Sequence, residues 1–189
     1  ASNKVNQNVP QEALDALGDW RHRYPESRLL SQAALIEGKA QVARGRGLAG
    51  GKDTPTGEAL VAYEHARDIF IEVTKEHAAD EAASGEALFH LGSVYGQLGQ
   101  EQKSLDTYDA LVAKYPQHAL AARALYSVAN GAWNDEDYDR ARQYFQKLLD
   151  NYPDDGLSKR ARKNINALSI IGQDAPELQL DHWIHGTGT

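Results

Sequence analysis

Cysteine and methionine are both missing from this chain of 189 residues. Without a thiol there is no disulfide, no thiolate zinc site, no cysteine nucleophile and no CxxC redox pair within these residues. Without methionine, residue 1 is not a translation start, so a processed or truncated polypeptide is expected, with a signal peptide as one removable segment. Long apolar runs are missing as well. A stretch of roughly 18 apolar residues, about the least that crosses a bilayer as a helix, occurs nowhere, so no transmembrane segment is expected. Positive charge is in deficit: 20 Lys and Arg stand against 27 Asp and Glu, a formal net charge of −7. A chain with that balance lacks the basic field that phosphate contacts require, and nucleic acid is not expected as its partner.

What remains has the composition of a folded globular protein, 41% hydrophobic and 25% charged, long enough for one domain or a small two-part assembly. Internal repetition organises it. Tyr-Pro pairs occur at Tyr24-Pro25, Tyr115-Pro116 and Tyr152-Pro153, the last two prolines 37 residues apart. A small residue precedes each proline by twelve positions, and an aromatic residue or leucine precedes it by eight. The sets are Ala13, Leu17 and Pro25; Ser104, Tyr108 and Pro116; and Ala141, Phe145 and Pro153, with Ala66, Phe70 and Ala78 as a fourth in which alanine replaces proline. Upstream of two of these sets lie Leu88, Leu91, Gly92 and Tyr95, and then Leu125, Val128, Ala129 and Ala132. Those are i, i+3, i+4, i+7 spacings, the apolar stripe of an amphipathic helix.

Residues 85–118 and 122–155 resemble the tetratricopeptide repeat, whose unit reads W-x2-L-G-x2-Y, then A-x3-F, then P. The resemblance implies an all-α fold, a TPR-like α-solenoid of antiparallel helix hairpins wound as a right-handed superhelix, with a capping helix. Small residues at Gly92/Ala129 and Ser104/Ala141 let the two helices of a hairpin approach, and the ring at Tyr108/Phe145 is expected to fill the space between repeats. Leucine replaces the first tryptophan of the motif at Leu88 and Leu125, and three extra residues separate the units. Lengthened units ending in Tyr-Pro are similar to those of bacterial envelope proteins such as the Tol-Pal coordinator and outer-membrane assembly lipoproteins.

The expected organisation is a frayed segment over 1–9, a solenoid over 10–171 and a tail over 172–189. Within the solenoid come a half repeat 10–25, an interrupted repeat 27–78, repeats 85–118 and 122–155, and a capping helix 157–171. The interruption is read as a long Gly-rich loop over 44–56. Its residues Gly45 to Gly50 match G-x-G-x-x-G, but a helical pattern precedes them where a dinucleotide site needs a strand. Gly50-Gly51-Lys52-Asp53 is not a P-loop, because Arg46 occupies a glycine position and Asp53 the Ser/Thr position. His182 and His185 are the only histidines at ligand spacing and lack a third partner, so no metal site is expected. Asp135, Glu136, Asp137, Asp154 and Asp155 are read as turn and N-cap residues. No cofactor and no active site are expected.

The first helices of the hairpins should line a concave groove. The resemblance carries the groove positions onto Glu86, Phe89, Ser93, Gly96 and Gln97 in one unit and Arg123, Tyr126, Asn130, Trp133 and Asn134 in the next. The site residues taken from these are Phe89, Ser93, Gln97, Arg123, Tyr126, Asn130, Trp133 and Asn134, aromatic anchors beside groups able to pair with an extended backbone. The tail reads G-x-x-A-P-E-L-x-L from Gly172 to Leu180, followed by Trp183 and Gly186. It resembles the first strand of thioredoxin-like redoxin domains of the AhpC/TSA and TlpA type, whose cysteine motif would lie beyond residue 189. The function implied is a non-enzymatic scaffold that binds a protein or peptide partner, as the N-terminal region of a redoxin protein in a periplasmic or envelope setting, with the cytoplasm as the alternative. Two other readings stay open: a structural subunit of an outer-membrane assembly or Tol-Pal complex, and a spacer or dimerisation region of a thiol-disulfide oxidoreductase. The oligomeric state stays open too. If the groove rings hold the partner, Tyr126→Ala with Trp133→Ala abolishes partner capture while the melting temperature, followed by circular dichroism, stays put.

Overall fold

A computed structural model describes residues 11–27, 29–51 and 54–171. Among them run eight helices: α1 (Gln11–Arg23), α2 (Leu30–Ala49), α3 (Glu58–Glu76), α4 (Glu81–Gln97), α5 (Glu101–Lys114), α6 (Ala121–Asn134), α7 (Tyr138–Asn151) and α8 (Gly156–Leu168). Their ends follow from local chemistry. Asp80, Asp137 and Asp155 each accept a backbone N–H of the following turn, from Ala83 at 3.0 Å, Arg140 at 3.1 Å and Leu157 at 2.7 Å. These are N-caps that satisfy otherwise orphaned donors. At the other end α5 and α7 stop just before Tyr115-Pro116 and Tyr152-Pro153, where proline disfavours helical geometry in the residue before it.

Helices α2 and α3, α4 and α5, and α6 and α7 pack as hairpins, and each hairpin packs on the next. Beyond these neighbours the only backbone approaches between helices, among the described residues, are α2 to α4, α4 to α6 and α6 to α8. The even-numbered helices therefore form one continuous wall. The odd-numbered helices form the other layer and meet through long side chains, as where Tyr144 Oη donates to Asp109 at 2.8 Å and Arg21 bridges Glu37, at 2.6 Å, to Glu72. This is the all-α, TPR-like solenoid.

The core repeats with the sequence. Ala87, Ala124 and Ala161 stand 37 residues apart and are fully buried, as are Leu111 and Leu148. Hairpin closure depends on small residues facing rings. A Cβ placed on Gly92 would lie 2.8 Å from the Tyr108 ring, and Ser104 Oγ donates to the Gly92 carbonyl at 2.7 Å across the same gap. Between units, the turn before α6 is held by His118, whose Nδ1 accepts from Leu120 N–H at 3.1 Å while Nε2 lies 3.1 Å from the Ala82 carbonyl. That pairing selects the Nε2–H tautomer.

The Gly-rich segment departs from the loop expected over 44–56. Helix α2 continues to Ala49, so residues 45–49 are helical and the connection is confined to residues 50–57. A Cβ on Gly38 would lie 2.6 Å from the Phe70 ring, and seven residues later on α2, opposite the residue seven earlier on α3, a Cβ on Gly45 would lie 3.1 Å from Tyr63. Gly45 thus continues the same ladder of small residue against ring, and the hairpin is extended rather than interrupted. Gly50, with φ of 59°, closes α2 as a left-handed C-cap.

At the N-terminal end Leu17 and Trp20 of α1 are half-buried where the equivalent Phe70, Phe145, Val73 and Leu148 are fully enclosed. Helix α8 buries Ala161 and Leu168 and leaves Lys159, Arg160, Arg162 and Lys163 exposed, as a cap requires. The segments 1–9 and 172–189, with His182 and His185, lie outside the described residues.

The packing predicts opposite signs for two glycine substitutions. Gly92→Ala pushes Tyr108 out of place and should destabilise by about 1–3 kcal/mol. Gly131→Ala meets nothing within 4 Å of its new Cβ and should stabilise by about 0.5–1 kcal/mol through helix propensity. Urea unfolding followed by circular dichroism reads both.

Candidate functional site

The wall of α2, α4, α6 and α8 holds all eight residues predicted to contact a partner, in three kinds of environment. Phe89 and Tyr126 are in the core, 8% and 9% exposed. Phe89 packs 5.8 Å from Tyr108 and Tyr126 packs 5.7 Å from Phe145, centroid to centroid. The next even-numbered helix covers each one: the Arg123 guanidinium lies 5.3 Å over the Phe89 ring and the Arg160 guanidinium 5.2 Å over Tyr126. Both pairs have the same register, 37 residues apart. Where aromatic anchors were expected, the wall presents cations resting on rings, because adjacent even helices lie close enough for one to roof the other. Trp133 is half-buried and packs edge to face on Tyr138 at 6.2 Å and Phe145 at 6.5 Å. Ser93 and Asn130 are half-buried, and Gln97, Arg123 and Asn134 are exposed. Gln97 Oε1 accepts from Tyr63 Oη at 3.3 Å, which ties the extended hairpin to α4.

Lys39 and His90, also on this wall, escaped the sequence reading, which named Glu86 only as a groove position. Lys39 Nζ on α2 lies 2.8 Å from Glu86 on α4, and His90 Nε2 lies 3.6 Å from the same carboxylate. Burial raises the Glu86 pKa, but Lys39 and His90 outweigh it and hold the carboxyl below its usual range. Burial against the stacked Phe70 ring lowers His90. The signal for Lys39 with Glu86 was their place on successive first helices.

Further along the wall, between the C-terminal halves of α4 and α6, opens a cleft of about 470 Å³. Its lining includes Ser93 and Gln97 of the predicted set, together with Gly96, Gly131 and Tyr108. Arg140 at its edge pairs with Glu101 and, at 3.1 Å, with Asp137. The Tyr108 phenol is pushed up to about 12 by burial, against the opposing effects of a Ser93 hydrogen bond and the Arg123 charge. The Tyr144 phenol is also raised, by burial and then by its hydrogen bond to the Asp109 carboxylate. Among the described residues no group of three or more His, Asp or Glu is placed to hold a metal ion, and no helix is long and apolar enough to cross a membrane.

Comparison with known families bears on the two units that build this wall. Residues 86–118 and 120–155 match the tetratricopeptide repeat. No curated protein matches the chain. Tetratricopeptide repeats generally mediate protein–protein interaction, and α4 and α6 are the first helices of the two matched units.

Burial changes what the aromatic substitutions do. Tyr126→Ala removes a core ring and should destabilise by about 3 kcal/mol, so the double substitution with Trp133→Ala lowers the melting temperature. Tyr108 carries a pH signature. Its folded pKa lies above the ordinary tyrosine value of about 10, at about 12, so the neutral phenol's contribution is complete below about pH 10 and is lost as pH rises towards 12. Thermal melts across that window should show a smaller decline for Tyr108→Phe than for the parent; equal declines would remove Tyr108 from the account.

Proposed function

We propose that the wall of even-numbered helices binds an extended, acidic segment of a protein partner and holds it without transforming it. The observation that carries this reading is the cation row produced by the packing. Arg123 and Arg160 roof successive rings, and Lys163 stands in α8 at the register position of Phe89 and Tyr126. All three are exposed, on a chain whose net charge is −7. A guanidinium brings five N–H donors in a planar fork suited to carboxylates. Ser93, Gln97, Asn130 and Asn134 add donors and acceptors for the backbone of an extended segment.

The sequence supports a wider setting. The likeness of 172–189 to the start of a redoxin domain favours the N-terminal, non-catalytic region of a thioredoxin-like protein in the periplasm or envelope. The lengthened Tyr-Pro units favour instead a structural subunit of an envelope complex, and a spacer or dimerisation role is the third reading. A gene that continues beyond residue 189 into W-C-x-x-C or a lone peroxidatic cysteine within a redoxin domain decides for the first or third; one without either decides for the second.

The binding claim is tested with acidic peptides selected from a displayed random library. Arg123→Glu with Arg160→Glu should weaken their binding by more than about tenfold, a loss of at least about 1.4 kcal/mol, and binding to the parent should weaken as salt rises. Affinity unchanged by the double reversal, in protein whose melting temperature is unaltered, would overturn the reading.

A further inference from the structure

The two tetratricopeptide repeats differ at one place in a way that describes a ligand. Equivalent residues stand 37 apart, so Gly96 occupies the position of Trp133, and Gly131 that of Leu168. In the later unit Trp133 rests on Phe145 and Tyr138, and Leu168 is 1% exposed. The earlier unit's equivalents of Phe145 and Tyr138 are Tyr108 and Glu101, and both line the cleft of about 470 Å³. The open space is therefore the one that an indole and a leucine occupy in the next repeat.

Neither glycine is required by the fold. A Cβ on Gly131 would meet nothing within 4 Å, and one on Gly96 would meet only Ser104 Oγ, at 3.8 Å. Neither has the positive φ that would demand glycine. Gly92, by contrast, is needed for the approach of Tyr108. A glycine inside a helix costs about 1 kcal/mol relative to alanine, so Gly96 and Gly131 each weaken their helix and leave a cleft open.

We propose that this cleft is a pocket for an aromatic side chain, tryptophan above all, carried by the partner segment that lies along the wall; the proposal rests on the wall reading above. The Tyr108 ring, 6% exposed, lines the pocket as Phe145 underlies Trp133, and tilted or edge-to-face ring pairs are favourable at such separations. The volume lies in the range of pockets that accept small groups. At the rim, Glu101 and Asp135 supply carboxylate acceptors for an indole N–H. One aromatic anchor seated in a pocket, flanked by polar contacts, is the usual energetic centre of a protein interface.

The test uses N-acetyl-tryptophanamide at millimolar concentration against the whole chain, followed by amide chemical shifts, with N-acetyl-glycinamide as the control. Saturable shifts should appear at Gly92, Gly96, Ser104 and Gly131 with the tryptophan probe and not with the control. They should vanish in Gly96→Trp, which fills the pocket as Trp133 fills its own, and in Gly131→Leu, which copies Leu168; a normal circular dichroism melt certifies each variant. Absence of saturable shifts at these amides, or shifts that persist in either folded variant, would overturn the pocket. For library peptides, changing tryptophan to glycine should weaken binding to the parent by at least about tenfold and leave binding to Gly96→Trp unchanged. Peptides that need Arg123 and Arg160 but are indifferent to tryptophan and to Gly96→Trp overturn the pocket and leave the wall standing. Probe shifts without any Arg-dependent peptide binding support the pocket and remove the wall.

Discussion

Close approach of a small residue on one helix to an aromatic ring on its partner is the contact on which the rest of this molecule depends. Gly92 against Tyr108, Gly38 against Phe70 and Gly45 against Tyr63 all leave less room than a Cβ needs for comfort. Interiors pack densely enough that a single methyl group is felt, so these gaps fix how near the hairpin helices lie. Hairpin spacing in turn sets the stacking of units, and stacking sets which side chains of successive even helices meet. The wall of α2, α4, α6 and α8 is a downstream result of the glycine and alanine positions.

The surface chemistry of that wall is also a packing result. Were the first helices farther apart, Phe89 and Tyr126 would be open to solvent and the face would be aromatic. At the observed spacing Arg123 and Arg160 cover them, and long side chains can bury their stems while the charged head stays in water. The face becomes cationic on an acidic protein, which shifts the chemistry of a fitting guest from apolar towards acidic. The same spacing leaves a gap wherever a position that could fill it holds glycine, as at Gly96 and Gly131.

Much of the fold was legible because its signals are local. The Tyr-Pro stops, the aspartate caps and the i, i+3, i+4, i+7 stripes each act within a turn or two, and α5 and α7 end just before Tyr115-Pro116 and Tyr152-Pro153. The segment 44–56 was misread for a related reason. Its glycines resemble a loop to any local rule, since glycine disfavours helix, and only the seven-residue step from Gly38 to Gly45, matched by Phe70 and Tyr63 across the hairpin, marks them as a packing surface. The wall was harder still. Family register named the right positions but not their exposure, because burial of Phe89 depends on Arg123, 34 residues later and on another helix.

By itself, then, the sequence determined the helices, their ends outside the Gly-rich stretch, their pairing into repeats and the absence of thiol chemistry within these residues, since each follows from residue type and short-range spacing. Tertiary structure alone decided that the Gly-rich stretch extends a hairpin, that guanidinium groups and not rings face outward, and that a cleft opens where Gly96 replaces a tryptophan. Those outcomes turn on distances between side chains far apart in the chain, and periodicity carries no measure of distance.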